Sequence, residues 1–366
     1  MRIDGAHGYR LIAAGQPLER SELPVLEPGP DEVIVEVAGC GICHTDVGFA
    51  IDGIPTRRAL PLVLGHEISG RVVAAGDAAT SWLGRTVIVP AVIPCGTCPA
   101  CQAGKPTICR NQFMPGNDGD GGFATHVRVP ARGLCPVPDS LPPGLGVEML
   151  SVIADAVTTP WEAIRRAGVG PDDVAVFVGV GGVGGFGVQI AAAFGAAVVA
   201  IDIDPGKLEL AARHGAGVTL NSASLTEKDL KAAVRSFAKQ SGRSGIGLKI
   251  FETSGTPAGQ QTAFGLLDHG GYLAVVGFTP RKVELRLSNL MALDATARGN
   301  WGCPPDQYPA ALDLVLRGRV AIAPYVETHP LDDAPAVFDS VARHAIARRV
   351  ILKNVSNGNG RCHEKP

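Results

Sequence analysis

The sequence predicts an α/β protein built from a doubly wound parallel sheet domain and a mostly β domain. Its 366 residues exceed what one ordinary compact core needs, so two domains are the starting expectation. Up to about residue 150, short β-branched runs are separated by Gly and Pro, whereas from Asp172 strands alternate with a glycine turn and a helix. The expected domains are residues 1–155 and 156–301, with residues 302–366 returning to the first domain.

Hydrophobic periodicity places the individual elements. The strands expected in the first segment are 32–37, 67–75, 86–91 and 124–130. The elements expected in the second segment are a strand at 174–178, a helix at 186–194 and strands at 247–252 and 271–276. A helix at 308–317 and a last strand at 348–353 are expected in the third segment. The closing SNGNGRCHEKP has no periodicity and is expected to be a loose tail.

The composition describes a globular, turn-rich chain and disfavours several classes of protein. Hydrophobic residues make up 46% and charged residues 19% of the sequence, with 47 glycines and 28 prolines, so disorder is not expected. A formal net charge of -2 offers no basic field for nucleic acid. Because there is no signal-peptide pattern or membrane-length apolar run, we expect a cytoplasmic protein without a membrane partner. In such a reducing compartment, nine cysteines favour metal binding over disulfides.

Four of these cysteines form a compact metal-binding pattern. Cys95, Cys98, Cys101 and Cys109 follow the spacing CxxCxxCxxxxxxxC within one loop between two expected strands. Four thiolates at this density can close a tetrahedral zinc site and stabilise a loop that has little core of its own. The alternative, four unrelated buried cysteines, is improbable at this spacing. Because no position is left for water, the expected zinc is structural.

A second, dispersed group combines residue types that bind a single cation. The segment GCGICHTD contains Cys43, and the segment LGHEISG contains His66 followed by Glu67. Each follows an expected strand or turn where a side chain can point into a cleft, and a thiolate with an imidazole would serve one metal ion. Taken alone, Cys43 is also compatible with a small buried hydrophobe and His66 with an ordinary turn histidine. A third ligand is therefore needed to define a site.

A glycine-rich turn marks the start of the second domain. Gly179, Gly181 and Gly184 lie in GVGGVG, directly after the strand at 174–178 and ahead of a helix. Glycines in this context let a pyrophosphate approach backbone amides at a helix N-terminus, which predicts a dinucleotide site. Asp202 ends the next strand, where a carboxylate can bind ribose hydroxyls and repel a 2′-phosphate. The pattern therefore favours NAD over NADP, the alternative being that Asp202 merely caps the strand.

These motifs, in this order along nearly the whole chain, resemble the zinc-dependent medium-chain dehydrogenases. The resemblance implies a GroES-like, zinc-bearing catalytic domain and a Rossmann domain. It implies that Cys43 and His66 are catalytic zinc ligands and that Glu67 is the carboxylate beside the metal. The third ligand of the family precedes a threonine by four positions, and Asp155 stands there before Thr159, in place of the cysteine of the best-known members. An oxygen ligand still suits zinc, so the site should hold the metal.

The same resemblance assigns roles around the cofactor and the transferred proton. His44 is similar to a residue that faces the cofactor pyrophosphate, and Thr45 to the hydroxyl that begins proton transfer. The cofactor contacts that the resemblance implies are Thr159, Gly179, Gly181, Gly182, Val183, Gly184, Asp202 and Lys207. Gly48 replaces the histidine that ends the proton relay in some members, so the relay must end on another group or on water. NAD, two zinc ions per subunit and a homotetramer are expected.

The expected reaction is the oxidation of an alcohol by NAD. Zinc would lower the pKa of the alcohol, Thr45 would accept its proton, and the hydride would pass to the nicotinamide in a cleft between the domains. One alternative is a zinc ribbon for nucleic acid, which lacks a basic surface and leaves the second half unexplained. A zinc-free quinone or enone reductase on the same fold is the stronger alternative, because fold does not fix function. Metal analysis would separate these interpretations.

The motifs determine the reaction type but leave the substrate to pocket residues. Arg57 and Arg58 lie between the two zinc-ligand motifs, and paired guanidinium groups suit the phosphates of coenzyme A. Arg281, Lys282 and Arg298 offer a second cationic group. The chain also resembles family members that act on an alicyclic alcohol carried as an acyl-CoA thioester, which we take as the expected substrate. Another secondary alcohol or polyol is the alternative, and these cations are then ordinary solvated charges.

Overall fold

The computed structural model describes residues 2–354, so the closing SNGNGRCHEKP lies outside the described residues. The strands of the first part are β1 (His7–Leu11), β2 (Glu19–Glu22), β3 (Glu32–Gly41), β4 (Leu62–Val63), β5 (Glu67–Ala75), β6 (Thr86–Val89), β7 (His126–Pro130) and β8 (Cys135–Pro136). Its helices are α1 (His44–Ala50) and α2 (Pro99–Gln102). A 3-10 segment, Val147–Ala154, leads towards the second part.

The second part alternates helices and strands, and the third part is mixed. The helices are α3 (Thr158–Ala167), α4 (Gly184–Ala193), α5 (Pro205–Arg213), α6 (Glu227–Gln240), α7 (Pro257–Gly265) and α8 (Ser288–Ala292). The strands are β9 (Val174–Val178), β10 (Ala197–Asp202), β11 (Val218–Asn221), β12 (Lys249–Glu252), β13 (Tyr272–Val275) and β14 (Thr296–Gly299). The last elements are α9 (Tyr308–Leu316), β15 (Val326–Pro330), α10 (Ala334–Ala342) and β16 (Arg349–Lys353).

The second part forms a six-stranded parallel sheet in the order β11-β10-β9-β12-β13-β14. The central strand β9 is buried along its whole length, with Phe177 in the core of one face and Val176 in the core of the other. Such a strand needs helices on both faces, which explains the alternation of elements along the chain. The strand order reverses beside β9, and ligands of doubly wound sheets bind at this switch point.

The first and third parts build the β domain together. Its large sheet has the order β15-β16-β3-β5-β6-β8, with β7 also paired to β3, while β2, β1 and β4 form a small antiparallel sheet. Strand β16 pairs antiparallel with β3 through Ile351 and Gly41, and β15 lies parallel to β16. Strands β15 and β16 of the third part therefore complete the large sheet that contains β3 of the first part. The fold is thus the expected GroES-like β domain joined to a Rossmann domain.

Several element boundaries differ from those predicted. Strand β3 continues to Gly41, beyond the predicted end at Val37, because β16 pairs with its last residues. Helix α1 lies in a segment expected to be all-β, and it begins where the Asp46 carboxylate accepts the backbone N–H of Cys43 in a capping box. Helix α4 begins at Gly184, two residues early, because the glycine turn itself enters the helix.

Candidate active site and metal centres

The loop between β6 and β7 gathers the four-cysteine group. The Sγ atom of Cys98 lies 3.6 Å from that of Cys101 and 3.7 Å from that of Cys109, and Cys95 lies 3.5 Å from Cys109. Tetrahedral zinc with Zn–S bonds of about 2.3 Å would separate its sulfurs by about 3.8 Å. The backbone and hydroxyl of Thr97 and the Cys98 amide lower the pKa of Cys95 to about 6, which favours a thiolate. These side chains fit a closed structural zinc site.

A second group of donors converges from three separate elements. Cys43 is the N-cap of α1, His66 directly precedes β5, and Asp155 follows the 3-10 segment Val147–Ala154. The Asp155 Oδ2 atom lies 3.7 Å from both Cys43 Sγ and His66 Nε2. Donor atoms of these residues and of Glu67 all lie within 4.8 Å of one another. The structure therefore brings together the three residues that the sequence resemblance implied as ligands.

The surroundings of His66 favour a cation at this group. The imidazole is buried, and its Nδ1 atom has no hydrogen-bond partner among residues 2–354, although it lies 3.4 Å from Asp46 Oδ1. Burial lowers the pKa of His66, but the Asp46 and Asp155 carboxylates outweigh it and raise the pKa well above its usual range. Positive charge is therefore stabilised between these donors, and a thiolate, an imidazole and a carboxylate suit Zn²⁺. Asp46 facing Nδ1 leaves Nε2 free for a metal.

Glu67 is buried beside this group but is held by another residue. Its Oε2 atom accepts the Arg349 Nε hydrogen at 2.8 Å, and its Oε1 atom accepts the Ala156 N–H at 3.1 Å and a second Arg349 hydrogen bond. Burial raises the pKa of Glu67 and Arg349 opposes that shift. Glu67 therefore anchors Arg349 and the backbone next to Asp155, while its carboxylate remains near the expected metal.

The glycine turn between β9 and α4 is packed too closely for side chains at two positions. A Cβ atom on Gly179 would lie 2.6 Å from the Ser254 backbone, and one on Gly184 would lie 1.9 Å from the Gly179 carbonyl oxygen. At Gly181 the space is open, with Lys207 Nζ 3.9 Å from the Cβ position. The turn thus presents bare backbone at the N-terminus of α4, where Val183 is the N-cap.

Lys207 and Arg349 lie beside this turn, and His44 and His344 lie near these cations; the four side chains are here called the cationic cluster. The His44 and His344 rings stack with centroids 5.4 Å apart and planes inclined by 21°. Arg349 Nη1 lies 3.1 Å from the Cβ position of Gly182. Partial desolvation, together with charge repulsion from Arg349, His344 and Lys207, lowers the pKa of His44 to about 4. The positive charges of Lys207 and Arg349 beside the glycine turn suit a pyrophosphate.

Comparison with known proteins places the chain in one family. Residues 29–139 match the alcohol dehydrogenase GroES-like domain, and residues 182–317 match the zinc-binding dehydrogenase family. An alcohol dehydrogenase of Geobacillus stearothermophilus is 32% identical over 338 residues, which cover 92% of this chain and 95% of the relative. The chain belongs to the zinc-dependent medium-chain alcohol dehydrogenase family. This dehydrogenase is accordingly an enzyme that oxidises alcohols with a nicotinamide cofactor.

Solved structures agree with this assignment of the dehydrogenase. Galactitol-1-phosphate dehydrogenase from Escherichia coli superposes with a TM-score of 0.85 at 25% identity, covering 95% of this chain and 99% of that one. A protein of Sinorhizobium meliloti 1021 described as a zinc-binding dehydrogenase bound to NADP has a TM-score of 0.80 at 28% identity, covering 95% and 99%. Among residues 2–354 of the dehydrogenase, no helix has the length and apolarity to cross a membrane.

The arginines predicted to face coenzyme A have other partners in the dehydrogenase. Arg57 pairs with Asp118 and Arg58 with Asp120, each at 3.2 Å. The arginine side chains remain 49% and 48% exposed, so a ligand could still reach them. Both guanidinium groups are therefore already paired with carboxylates of the neighbouring loop, and the role of Arg57 and Arg58 in binding coenzyme A stays a prediction. Within residues 2–354, Arg281, Lys282 and Arg298 are exposed and form no ion pair.

Three residues of the site were missed by the sequence argument: Asp46, Arg349 and His344. Asp46 lies in the GCGICHTD segment, and its capping-box position three residues after Cys43 was a usable signal. Arg349 lies 282 residues beyond Glu67 along the chain and His344 close before Arg349, and only the pairing of β16 with β3 brings this part of the chain to the site. The sequence carries no local signal for that meeting.

Proposed function

We propose that this dehydrogenase oxidises a secondary alcohol with NAD and holds one catalytic and one structural zinc ion per chain. The observation that carries the proposal is the convergence of Cys43, His66 and Asp155 beside a glycine turn, with Arg349 touching both regions. Three ligands leave one position for an alcohol oxygen, as in catalytic zinc sites. The four-cysteine group supplies the closed site.

The residues of the chain divide the work of the reaction. When bound, zinc supplies a Lewis acid for the alcohol oxygen and NAD accepts the hydride. Thr45 Oγ1, partly exposed and 3.7 Å from Cys43 Sγ, is placed to accept the alcohol proton. The cationic cluster binds the pyrophosphate. No side chain at Gly48 extends the relay, and Ile54 Cδ1 would lie 2.9 Å from a Cβ there, so the proton must leave Thr45 through another group or water.

Asp202 supports a preference for NAD. Its Oδ2 atom accepts the Val180 N–H at 2.8 Å, and its Oδ1 atom accepts the amides of Ile203 and Asp204 at 2.8 and 3.0 Å. The carboxylate therefore does cap the strand, and these donors also fix its position at the end of β10. A 2′-phosphate there would be repelled. We expect kcat/KM with NAD to exceed that with NADP by at least about tenfold. Equal values would contradict the preference.

For the substrate, we propose an alicyclic secondary alcohol carried as a CoA thioester. Segments 11–33, 91–118 and 179–204 resemble 6-hydroxycyclohex-1-ene-1-carbonyl-CoA dehydrogenase of anaerobic aromatic degradation. In that reaction the ring hydroxyl carbon loses a hydride and becomes a ketone conjugated with the ring alkene. Arg57 and Arg58 are exposed, and the phosphates of coenzyme A would compete with Asp118 and Asp120 for their guanidinium groups. The two arginines support the proposal only in this way. The alternative substrate is another secondary alcohol or polyol.

A substrate panel tests the reaction and its substrate together. NADH absorbance should rise fastest with cyclic hydroxyacyl-CoA esters, and more slowly with simple alcohols and polyols. Replacing Arg57 and Arg58 by Ala should raise KM for the CoA ester more than for a truncated thioester. Arg20→Ala is the control, because Arg20 forms a comparable exposed ion pair with Glu22, and it should change neither KM. Simple alcohols oxidised as fast as the CoA ester would overturn the substrate assignment.

Active enzyme with less than one zinc per chain would contradict the metal proposal and favour the reductase alternative.

A homo-oligomer, expected to be a tetramer, is proposed from the free edge of the parallel sheet. Strand β14 is exposed along its whole length and pairs only with β13 among the described residues. Nearby segments expose large apolar side chains, namely Phe278, Leu287, Met291 and Trp301. A paired edge strand with covered apolar residues would remove an aggregation risk. A second copy of the chain is the partner that we propose for this edge.

A further inference from the structure

The two carboxylate oxygens of Asp155 have different partners. Oδ2 faces the metal-binding group, 3.7 Å from both Cys43 Sγ and His66 Nε2. Oδ1 accepts a hydrogen bond of 2.5 Å from the hydroxyl of Thr159. Only one oxygen of Asp155 therefore points towards the expected zinc, and the other is engaged by the chain itself.

The position of Thr159 on helix α3 explains this contact. Thr159 lies one turn after Asp155, and its backbone N–H also donates to the Asp155 carbonyl oxygen at 2.8 Å. The adjacent Thr158 reaches back in the ordinary way, with its hydroxyl donating to the Ala154 carbonyl oxygen at 3.2 Å. Thr159 instead donates to a side chain, and because it is β-branched and buried, its rotamer is restricted.

The start of α3 is fixed by further contacts. The Thr159 carbonyl oxygen accepts the Asn300 side-chain amide at 3.2 Å, and Asn300 Oδ1 accepts Arg166 at 3.4 Å. Arg166 also donates to Thr107 at 2.8 Å, two residues before Cys109 of the four-cysteine group. The backbone of Thr159 is thus held by side chains from outside the first turn of α3.

We propose that Thr159 is a positioning residue that holds Asp155 as a one-oxygen ligand of the catalytic metal. The inference rests on the proposed function and deepens it. A carboxylate that binds through both oxygens would fill the position that an alcohol needs, whereas a hydrogen bond to Oδ1 reserves Oδ2 for the metal. Hydrogen bonds to metal ligands commonly change metal affinity by about tenfold to 100-fold. A thiolate at position 155, as in the best-known family members, would give Thr159 no such oxygen to hold.

Zinc retention tests the proposal without relying on turnover. In a chelator titration of the purified full-length protein without cofactor, Thr159→Val should lose the catalytic zinc at about tenfold to 100-fold lower chelator strength. The structural zinc should be retained. Thr159→Ser keeps the hydroxyl and should retain zinc within about threefold of wild type. Thr158→Val is the matched control, because it removes a buried hydroxyl of the same turn that donates to the Ala154 carbonyl oxygen and not to Asp155, and it should leave zinc retention unchanged.

The same substitution made in an Asp155→Cys variant distinguishes the positioning of Asp155 from general damage to the helix. In Asp155→Cys, adding Thr159→Val should change zinc retention by less than about twofold, because no carboxylate oxygen is left to hold. Equal losses in both backgrounds, or full retention in Thr159→Val, would overturn the proposal. Wild-type protein that binds a single metal ion per chain, lost on Cys98→Ser, would instead overturn the proposed catalytic metal site itself. Co²⁺ replacement gives a further readout, since two-oxygen binding adds a ligand and changes the visible spectrum.

Discussion

At the scale of single residues, two buried acids, Asp46 and Glu67, hold the backbone at or next to the expected metal ligands. Asp46 accepts the amides of Cys43 at 2.9 Å and Gly65 at 3.1 Å, so it fixes the backbone beside two expected ligands. Glu67 accepts the Ala156 amide next to Asp155 and pairs with Arg349. Each expected ligand therefore adjoins a backbone group that a buried carboxylate holds. Such support keeps donor atoms in place before a metal binds.

The environment of His344 also indicates a function. It has a φ of 54°, in the left-handed region that favours glycine, and it follows Arg343, the C-cap of α10. A non-glycine residue there costs of order 1 kcal/mol or more and persists where its surroundings require it. The stack of His344 on His44 in the cationic cluster supplies such a requirement. A single substitution at His344 should therefore relieve the backbone strain, which raises stability, and remove the stacked ring, which weakens cofactor binding.

We predict that His344→Gly will stabilise the fold but weaken cofactor binding. Removing the strain should raise the melting temperature by about 1–3 °C. Loss of the ring that orients His44 should raise the Kd for NADH by about threefold to tenfold. Asp294→Gly is the matched control, because Asp294 has a φ of 49° and is exposed, so it should give the stability gain alone. An unchanged Kd for NADH in His344→Gly would remove His344 from the cofactor site.

At the scale of elements, we expect the loop that carries the four-cysteine group, here called the four-cysteine lobe, to depend on a bound metal. Helix α2 has four residues and buries none of them, and Cys95, Cys98 and Cys101 are only partly buried. Little apolar surface is therefore available to offset the entropy of ordering this loop. Arg166 of α3 contacts the lobe through Thr107, so loss of the lobe should also loosen the helix that follows Asp155.

We predict contrasting effects for ligands of the two metal groups. Cys98→Ser should remove one zinc per chain, lower the melting temperature and make the lobe sensitive to proteolysis, because its loop then lacks a closed site. His66→Ala should reduce kcat by at least about 1,000-fold and leave the four-cysteine zinc in place. Metal analysis, limited proteolysis and turnover provide the readouts. Full activity in His66→Ala, or an intact lobe in Cys98→Ser, would be inconsistent with the assigned roles.

At the scale of the whole molecule, the free edge of the parallel sheet predicts self-association. Leu287 and Met291 are 68% and 79% exposed; Leu287 is the N-cap of α8 and Met291 lies within this helix, close in sequence to the edge strand β14. Replacing both by Asp should place charge in the proposed interface and shift sedimentation towards monomer. Ile246→Asp is the matched control, because Ile246 is 71% exposed but precedes β12. A monomeric wild-type protein, or an unchanged oligomer in the double variant, would contradict the prediction.

Much of this architecture was open to prediction because it follows from local patterns. The glycine turn, strand β9 and Asp202 lie within one strand-turn-helix-strand unit, whose periodicity and spacing are set by neighbouring residues. The four cysteines likewise lie within one loop, so their spacing limits how far apart their sulfurs can be. Strand ends were less predictable, since β3 is extended by its pairing with the distant β16.

The sequence by itself determined the two-domain α/β fold, the four-cysteine group and the dinucleotide turn, because short-range chemistry specifies each of them. Its resemblance to a family also indicated Asp155, but residues alone could not, since no local rule links positions 43, 66 and 155. Only the tertiary structure decided that Thr159 holds one oxygen of Asp155, that Arg349 joins Glu67 to the glycine turn, and that Arg57 and Arg58 are paired. These contacts depend on side-chain positions that arise from long-range strand pairing and loop packing, and such positions are not encoded in spacing along the chain.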